Sequence, residues 1–560
     1  VQFLEIVTAS WPDHLKEKGF TSQAGRRNAL LRAEAERIAK LPPSTPVIIA
    51  GVTGSIPATV MLMRAVAALP NGAIVLPALD LTLDEASWQS IGPDHPEHPQ
   101  FGLKKLLDQL GVARSDVKML PGAAPSNRLA ARAALVSEAM RPSATTARWH
   151  HFAKSANRNE MKDALTGVSL IEAPSAQDEA ETIALILRDA IEVPGRTAAL
   201  VSPDRLLARR VAIRLQSWGI RVDDSAGRPF VKTVPGTFLN LTIDAVRNGF
   251  RPAELMSLLK HPLCRLGFEP FDIRRFGRAL ELAAFRGPYL GRGIEGVKAA
   301  LANAERAKAE DERQHPAVRR LWQEDWDGAR ALVERLEIAF APLVAVYAKP
   351  LGRRLKDMAA AHIATAEALA ALPAPDSENG DVPANPLWQG EAGEAANTFF
   401  AGLLDTAMPL IEISAKDYGD LYRSLLAREN VRERTPVHPR LSIWGPFEAR
   451  LQQPDILVLG SLNDGTWPEA AEPGAWLNRP MRAALGLPSP EEDIGRSAHD
   501  FISFLGAERV YLTRAEKIKG VPTVPSRWLM RLKALLNGLE LADAIEADRP
   551  WLGWARARDS

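Results

Sequence analysis

The sequence predicts an α/β protein in which helices wrap parallel sheets and the second of two α/β domains is interrupted by a large helical insertion. Three observations predict it. Short apolar runs alternate with amphipathic stretches in the order strand, helix, strand, the mark of a parallel sheet. That alternation occurs early in the chain and again after residue 166. From about Gly236 to Ala370, finally, nearly everything is helical in period. At 560 residues the chain exceeds what one core supports, so several domains are expected.

The elements follow in order. Two helices open the chain, the second from Gln23 through Ile38. Pro42-Pro43 ends it, and Val47-Ile-Ile-Ala-Gly51 reads as a buried strand. A helix from Pro57 to Leu69 leads to a second strand, Ala73 to Leu76, and helical segments complete a first region spanning 1–165, the end of a first α/β domain. Residues 166–235 start the second domain. Val168 to Ile171 and Thr197 to Val201 are strands, separated by a helix from Ser175 to Ile191 with Ser175 as its cap and Asp178 and Glu179 in its first turn. A helix from Pro203 to Trp218 then feeds a strand at Ile220-Arg-Val222. The insertion, 236–440, contains helices such as Pro252 to Lys260 and Arg319 to Tyr347, and a Pro-, Asp- and Asn-rich loop near 373–386. Residues 441–560 complete the second sheet through Asp455 to Gly460 and Arg509 to Leu512. A chain that opens on Val1 and closes in a charged run after a helical stretch reads as a piece of a longer protein.

Composition narrows the function classes. Hydrophobic residues at 46% and charged residues at 24% describe a globular protein, with no bilayer-spanning run and no signal peptide, so the expected place is the cytoplasm and no membrane partner is expected. Net charge is only +1, which is unlike a basic nucleic-acid-binding domain, so any such role must rest on local features. Cys264 is the only cysteine, which excludes internal disulfides and cysteine-ligated zinc or iron–sulfur centres in this segment. With His261 it offers two potential ligands, fewer than a metal site needs, and a helix end is the better reading. His95 and His98 lie among prolines in a loop that fixes its side chains.

An α/β domain followed by a second one split by helices resembles the superfamily 1 DNA helicases of the UvrD kind. The strings Gly167-Val-Ser-Leu-Ile-Glu-Ala173, Asp178-Glu-Ala-Glu-Thr-Ile-Ala184, Ala208 to Leu215 and Trp218-Gly-Ile-Arg-Val222 follow the order seen at the start of their second motor domain. Asp455-Ile-Leu-Val-Leu-Gly-Ser-Leu-Asn-Asp-Gly-Thr-Trp-Pro468 is similar to the strand and turn after their fifth motif. The resemblance implies two RecA-like parallel-sheet domains.

The motor chemistry is missing. No Gly-x-x-x-x-Gly-Lys-Ser/Thr phosphate loop occurs. Where a strand should end in the Asp-Glu that holds magnesium, Ala50 and Gly51 stand. Pro77-Ala-Leu-Asp-Leu81 replaces Gly-Asp-x-x-Gln, and Arg450-Leu-Gln-Gln453 replaces Lys-Gly-x-Glu. Arg514, in Leu512-Thr-Arg-Ala515, looks like a γ-phosphate arginine but falls at or beyond the strand end; the better match, Phe504-Leu-Gly-Ala507, carries glycine there. Gly51-Val-Thr-Gly-Ser55 reads as a tight turn in preference to a nucleotide site, with a DNA phosphate contact between the two.

Such an inactivated motor resembles AddB-type subunits of bacterial AddAB helicase-nucleases, alphaproteobacterial ones especially, and RecC more distantly. The matching strings are Ala50 to Ala58, Val75 to Asp80, His98-Pro-Gln100, Gly445-Pro-Phe-Glu-Ala-Arg450, Leu459 to Pro468 and Pro525-Ser-Arg-Trp-Leu529. The resemblance implies a scaffold without ATPase that channels and scans single-stranded DNA from duplex ends for a recombination hotspot, in break repair by homologous recombination. An AddA-like partner would supply the motor. A nuclease domain beyond this segment would use magnesium and an iron–sulfur cluster, while the segment itself carries no catalytic residue or cofactor. Two alternatives are an active ATP-dependent helicase missing its N-terminal motif and a purely architectural partner of AddA. The DNA-contact candidates are Thr53 and Ser55 from the first region and Arg450 and Trp467 from the second, with Arg205 and Arg209 on a helix whose arginines partly share one face.

Overall fold

The structure, a computed structural model, describes all residues except 1–4, 123, 287, 288, 290, 311–314, 349–351, 374–383, 406–411, 433–436 and 560. Most of the loop expected near 373–386 therefore lies outside the described residues. The chain divides into two units, one of residues 1–225 and 436–560 and one of residues 226–435.

In the first unit, helix α1 (Gln23–Lys40) is capped by Ser22, whose hydroxyl accepts from the Gly25 amide at 3.0 Å. Strand β1 (Val47–Ala50) and strand β2 (Gly72–Val75) pair in parallel through the crossover helix α2 (Pro57–Ala67). α1 packs on α2 through Ile38, Val66 and Leu69. Helix α3 (Phe101–Leu110) ends at left-handed Gly111, and its Leu103 and Leu106 bury Val60 and Met63 of α2. Among the described residues this first region contributes a two-stranded sheet and helices, including α4 (Asn127–Ala139).

A six-stranded, wholly parallel sheet is the centre of the unit. It contains β3 (Val168–Ala173), β4 (Ala198–Val201), β5 (Asp223–Asp224), β6 (Leu441–Trp444), β7 (Ile456–Leu459) and β8 (Arg509–Ala515), in the order β3-β8-β7-β4-β6-β5. Every residue of central β4 and β7 is buried, because helices cover both faces. On one face lie α5 (Ala176–Ile191) and α6 (Arg205–Ser217), meeting the sheet through Ile183, Leu187, Leu207 and Val211. On the other lie α7 (Glu491–Phe504) and α8 (Arg527–Gly538), with Phe501, Phe504, Trp528 and Leu532.

Two strands differ from the sequence expectation. The edge strand forms at Asp223–Asp224 instead of Ile220-Arg-Val222, because its register is set by Ser442 and Ile443 of β6. Ile220 instead closes the end of α6, donating its amide to the Leu215 carbonyl at 3.0 Å. β6 itself, Leu-Ser-Ile-Trp, was not singled out in the sequence.

The chain leaves the sheet after β5 and rejoins it at β6. The intervening unit starts ten residues earlier than the periodicity suggests, since Arg228–Pro229 pairs antiparallel with Asn430–Val431 at its base. Its helices, among them Val234–Arg247, Pro252–Leu259, Gln323–Tyr347 and Leu355–Ala370, enclose a core containing Phe238, Leu336, Phe340, Tyr418 and Tyr422. His362 is fully buried there, bonded through Nε2 to the Leu239 carbonyl at 3.0 Å and through Nδ1 to the Tyr418 hydroxyl at 3.2 Å. Burial pulls its pKa down to about 4, so it is a neutral core histidine. Cys264 is buried as well, its thiol pushed up to about 12 by desolvation, and His261 Nδ1 accepts from the Leu263 amide at 3.2 Å. Together they close a helix end.

Candidate functional site

Ligands of open parallel sheets bind outside the carboxyl ends of the strands. At that pole β8 runs three residues past the level of β7, since Leu512 pairs with Leu459 whereas Thr513, Arg514 and Ala515 pair only with β3. Arg514 therefore stands inside the strand's last turn of pairing, where the sequence reading put it at or past the strand end. It is 4% exposed, and all three guanidinium nitrogens are occupied. Nε donates to Asn463 Oδ1 at 3.0 Å, Nη1 to Glu172 Oε1 at 2.9 Å, and Nη2 to the Thr523 hydroxyl at 2.9 Å. Lys533 Nζ holds the other Glu172 oxygen at 2.9 Å. These two cations keep Glu172 below the usual carboxylate range against the opposing effect of its burial.

Beside this cluster Glu179, from the first turn of α5, is 2% exposed. Its Oε1 accepts from the Ser461 amide at 2.8 Å and the Thr513 hydroxyl at 2.7 Å. Burial outweighs both bonds and raises its pKa to about 7. Ser461 adopts φ 62°, a left-handed conformation, which allows its amide to reach Glu179 while its hydroxyl donates to Asp204 Oδ2 at 3.1 Å. Asp204 in turn caps α6 through the amides of Leu206 and Leu207. The strand ends are thus closed by polar groups that satisfy one another.

At the first region's strand end, β1 finishes at Ala50, and Gly51 takes φ 73°. A Cβ on Gly51 would fall 2.9 Å from Leu451 Cδ1, so the loop carrying half-buried Thr53 and exposed Ser55 meets the turn carrying Arg450. Asp80, just past the end of β2, accepts from the Thr82 and Leu83 amides at 2.8 and 2.9 Å and shapes its own turn.

The remaining candidates divide. Trp467 is 0% exposed and packs edge-on to Phe501 and Phe504, so its stacking on a base is corrected to core packing beneath the sheet. Arg450 is a clamp: Nε and Nη2 grip Asp500 of α7 at 2.7 and 3.0 Å, and its side chain is 17% exposed. A guanidinium whose fork is already filled has little left to offer a phosphate, which corrects the expected free phosphate contact. Arg205, at the start of α6, pairs with Asp224. Arg209, one turn on, is exposed and has no ion pair among the described residues.

Sequence reasoning missed Phe447. Its side chain is 73% exposed after Gly445-Pro446, at the carboxyl end of β6, and the Arg450 guanidinium lies 5.2 Å from its ring centroid. The signal available was Gly445-Pro446, a turn pair directly after an apolar strand, which places Phe447 in a loop. Among the histidines, His98 is buried, its Nε2 3.1 Å from the Met140 carbonyl and its Nδ1 accepting from the Gln100 amide at 3.1 Å, with its pKa pulled down to about 4 by burial. Among the described residues no group of His, Cys, Asp and Glu is placed to hold a metal, and no helix is long and apolar enough to cross a membrane.

Neither a protein-family model nor a curated protein matches this chain. Among the described residues this end of the sheet has no side chains grouped to hold a metal ion, and it presents an exposed aromatic, an arginine without an ion pair and small hydroxyls.

Proposed function

We propose that this chain is the non-ATPase, helicase-like scaffold of an AddB-type subunit, which guides and scans single-stranded DNA in a helicase-nuclease acting in double-strand break repair. The observation carrying the reading is the closed polar network around Arg514 and Glu179 at the strand ends where a motor would hold nucleotide. The split six-stranded parallel sheet and the carboxylate-free strand end at Ala50-Gly51 support it further. In this reading the two α/β regions are RecA-like domains, an AddA-like partner supplies ATP-driven movement in the cytoplasm, and a nuclease domain elsewhere in the protein uses magnesium. The family's iron–sulfur cluster does not fit the residues here, because Cys264 is the only cysteine and is buried.

DNA would track over Thr53, Ser55, Phe447 and Arg209, with Phe447 taking the stacking role first assigned to Trp467. Binding with so few cations should be modest and fall steeply with salt. Fluorescence-anisotropy titration of a single-stranded oligonucleotide at two salt concentrations, alone and with an AddA-type partner, tests this, together with a phosphate-release assay. Salt-sensitive binding without ATP turnover supports the scaffold. Absence of salt-sensitive binding in both conditions would favour a purely architectural role, and magnesium-dependent turnover would favour an active helicase.

A further inference from the structure

The helical unit carries a second charged feature, remote in sequence from the strand ends. Helix Pro252–Leu259 and helix Pro270–Leu280 pack closely where Gly277 faces Leu259, a Cβ there lying 3.9 Å from that side chain. Beside this contact is a groove of about 500 Å³ floored by Met256, Leu259, Ile273 and Leu282. Its rim holds Lys260, Arg274, Arg278 and Arg286 against the single carboxylate of Glu281. That carboxylate is already taken by two of the cations: Lys260 Nζ lies 3.2 Å from Oε2 and Arg286 Nη2 2.5 Å from Oε1. Arg274 and Arg278, one helical turn apart, are exposed and have no ion pair among the described residues. The helix also changes to π-helical geometry over Glu281–Phe285, the segment that presents Glu281 and Leu282 to the groove. π-helical turns cost stability and recur at functional sites.

An apolar floor beneath an excess of guanidinium forks fits a ligand that joins a phosphate to a flat, weakly polar body. The volume is in the range of small-ligand sites and suits one nucleotide unit. We infer that this groove binds a nucleotide phosphate, with Arg274 and Arg278 gripping the phosphate and the apolar floor receiving the base or sugar. The phosphate could belong to a free nucleotide or to a nucleic-acid strand, and the same titration separates the two.

The full chain would be titrated with ADP by isothermal calorimetry and with a fluorescent single-stranded oligonucleotide by anisotropy, using the parent, the double variant Arg274→Glu/Arg278→Glu, and Glu281→Gln. Both arginines are exposed, so circular dichroism should find the double variant folded. The expected result is at least a tenfold loss of affinity for whichever probe the groove takes, as charge reversal at two phosphate contacts implies. Glu281→Gln should tighten the same probe severalfold by removing the competing carboxylate. ADP responding would identify a free nucleotide, and only the oligonucleotide responding would identify a strand. Phe447→Ala would itself weaken oligonucleotide binding, so the double variant is also measured in the Phe447→Ala background: the same fold-loss there as in the parent assigns the effect to the groove, and its failure is separable from failure at the strand ends. Parent-like affinity of the double variant for both probes would overturn the inference.

Discussion

Replacing Arg514 by alanine tests whether the strand ends are a closed structural network or a disguised catalytic centre. Removing one partner of a buried pair costs roughly 3–5 kcal/mol. Here the low end applies, because Glu172 is 29% exposed and keeps Lys533 at 2.9 Å. Asn463 Oδ1, 1% exposed as a residue, loses the Nε donor, and a stranded buried acceptor adds roughly 1–3 kcal/mol. The total is about 4 kcal/mol. For a unit of this size that corresponds to a fall in Tm of about 4–8 °C. Differential scanning calorimetry of the purified chain, repeated with Arg514→Met to separate lost packing from lost charge, measures it. A loss below about 1 kcal/mol would refute the network as described. So would magnesium-dependent ATP turnover that vanishes with the arginine.

Three further outcomes follow from the same geometry. Glu179 has its folded pKa raised from 4.5 to about 7, so the folded state holds a proton that the unfolded state has released between those values. Stability should therefore fall as pH rises from about 4.5 to about 7, by about 3 kcal/mol, and urea titrations across that window should flatten in Glu179→Gln; an unchanged pH profile in the variant would contradict the assignment. Trp467→Ala should cost roughly 3–5 kcal/mol of stability, whereas Phe447→Ala should change stability by less than about 0.5 kcal/mol and weaken oligonucleotide binding by roughly 1–3 kcal/mol. The reverse pattern in denaturation and anisotropy would reassign the two aromatics. Asp500→Asn should loosen the Arg450 clamp by about 1–3 kcal/mol without strengthening DNA binding, and a gain in salt-sensitive affinity would mean that Arg450 is a phosphate contact held in reserve.

Local pattern determined much of this protein. Ala198–Val201 and Ile456–Leu459 are fully buried strands because their short apolar runs are covered on both faces, whereas Val47–Ala50, expected to be buried, forms its strand with Ile48 64% exposed, and Ser175 and the Asp178-Glu179 turn start a helix where a cap and its dipole favour one. The absent phosphate loop and the Ala50-Gly51 strand end were equally plain, since losing a ligand is a statement about residue type alone. What the sequence could not decide was partnership at a distance. Asp500 lies fifty residues from Arg450, yet it converts an apparent phosphate contact into a clamp, and Glu172 lies more than three hundred residues from Arg514. Strand order β3-β8-β7-β4-β6-β5 brings those groups together, and the edge strand moved to Asp223–Asp224 because its hydrogen-bond partner was a strand two hundred residues onward. Direction was decided in the same way: Trp467 turns under the sheet into Phe501 and Phe504, while Phe447 is left in solvent. Composition and period report whether a residue can be buried, but which side of a turn it occupies, and which charge it meets there, is settled only when distant segments pack.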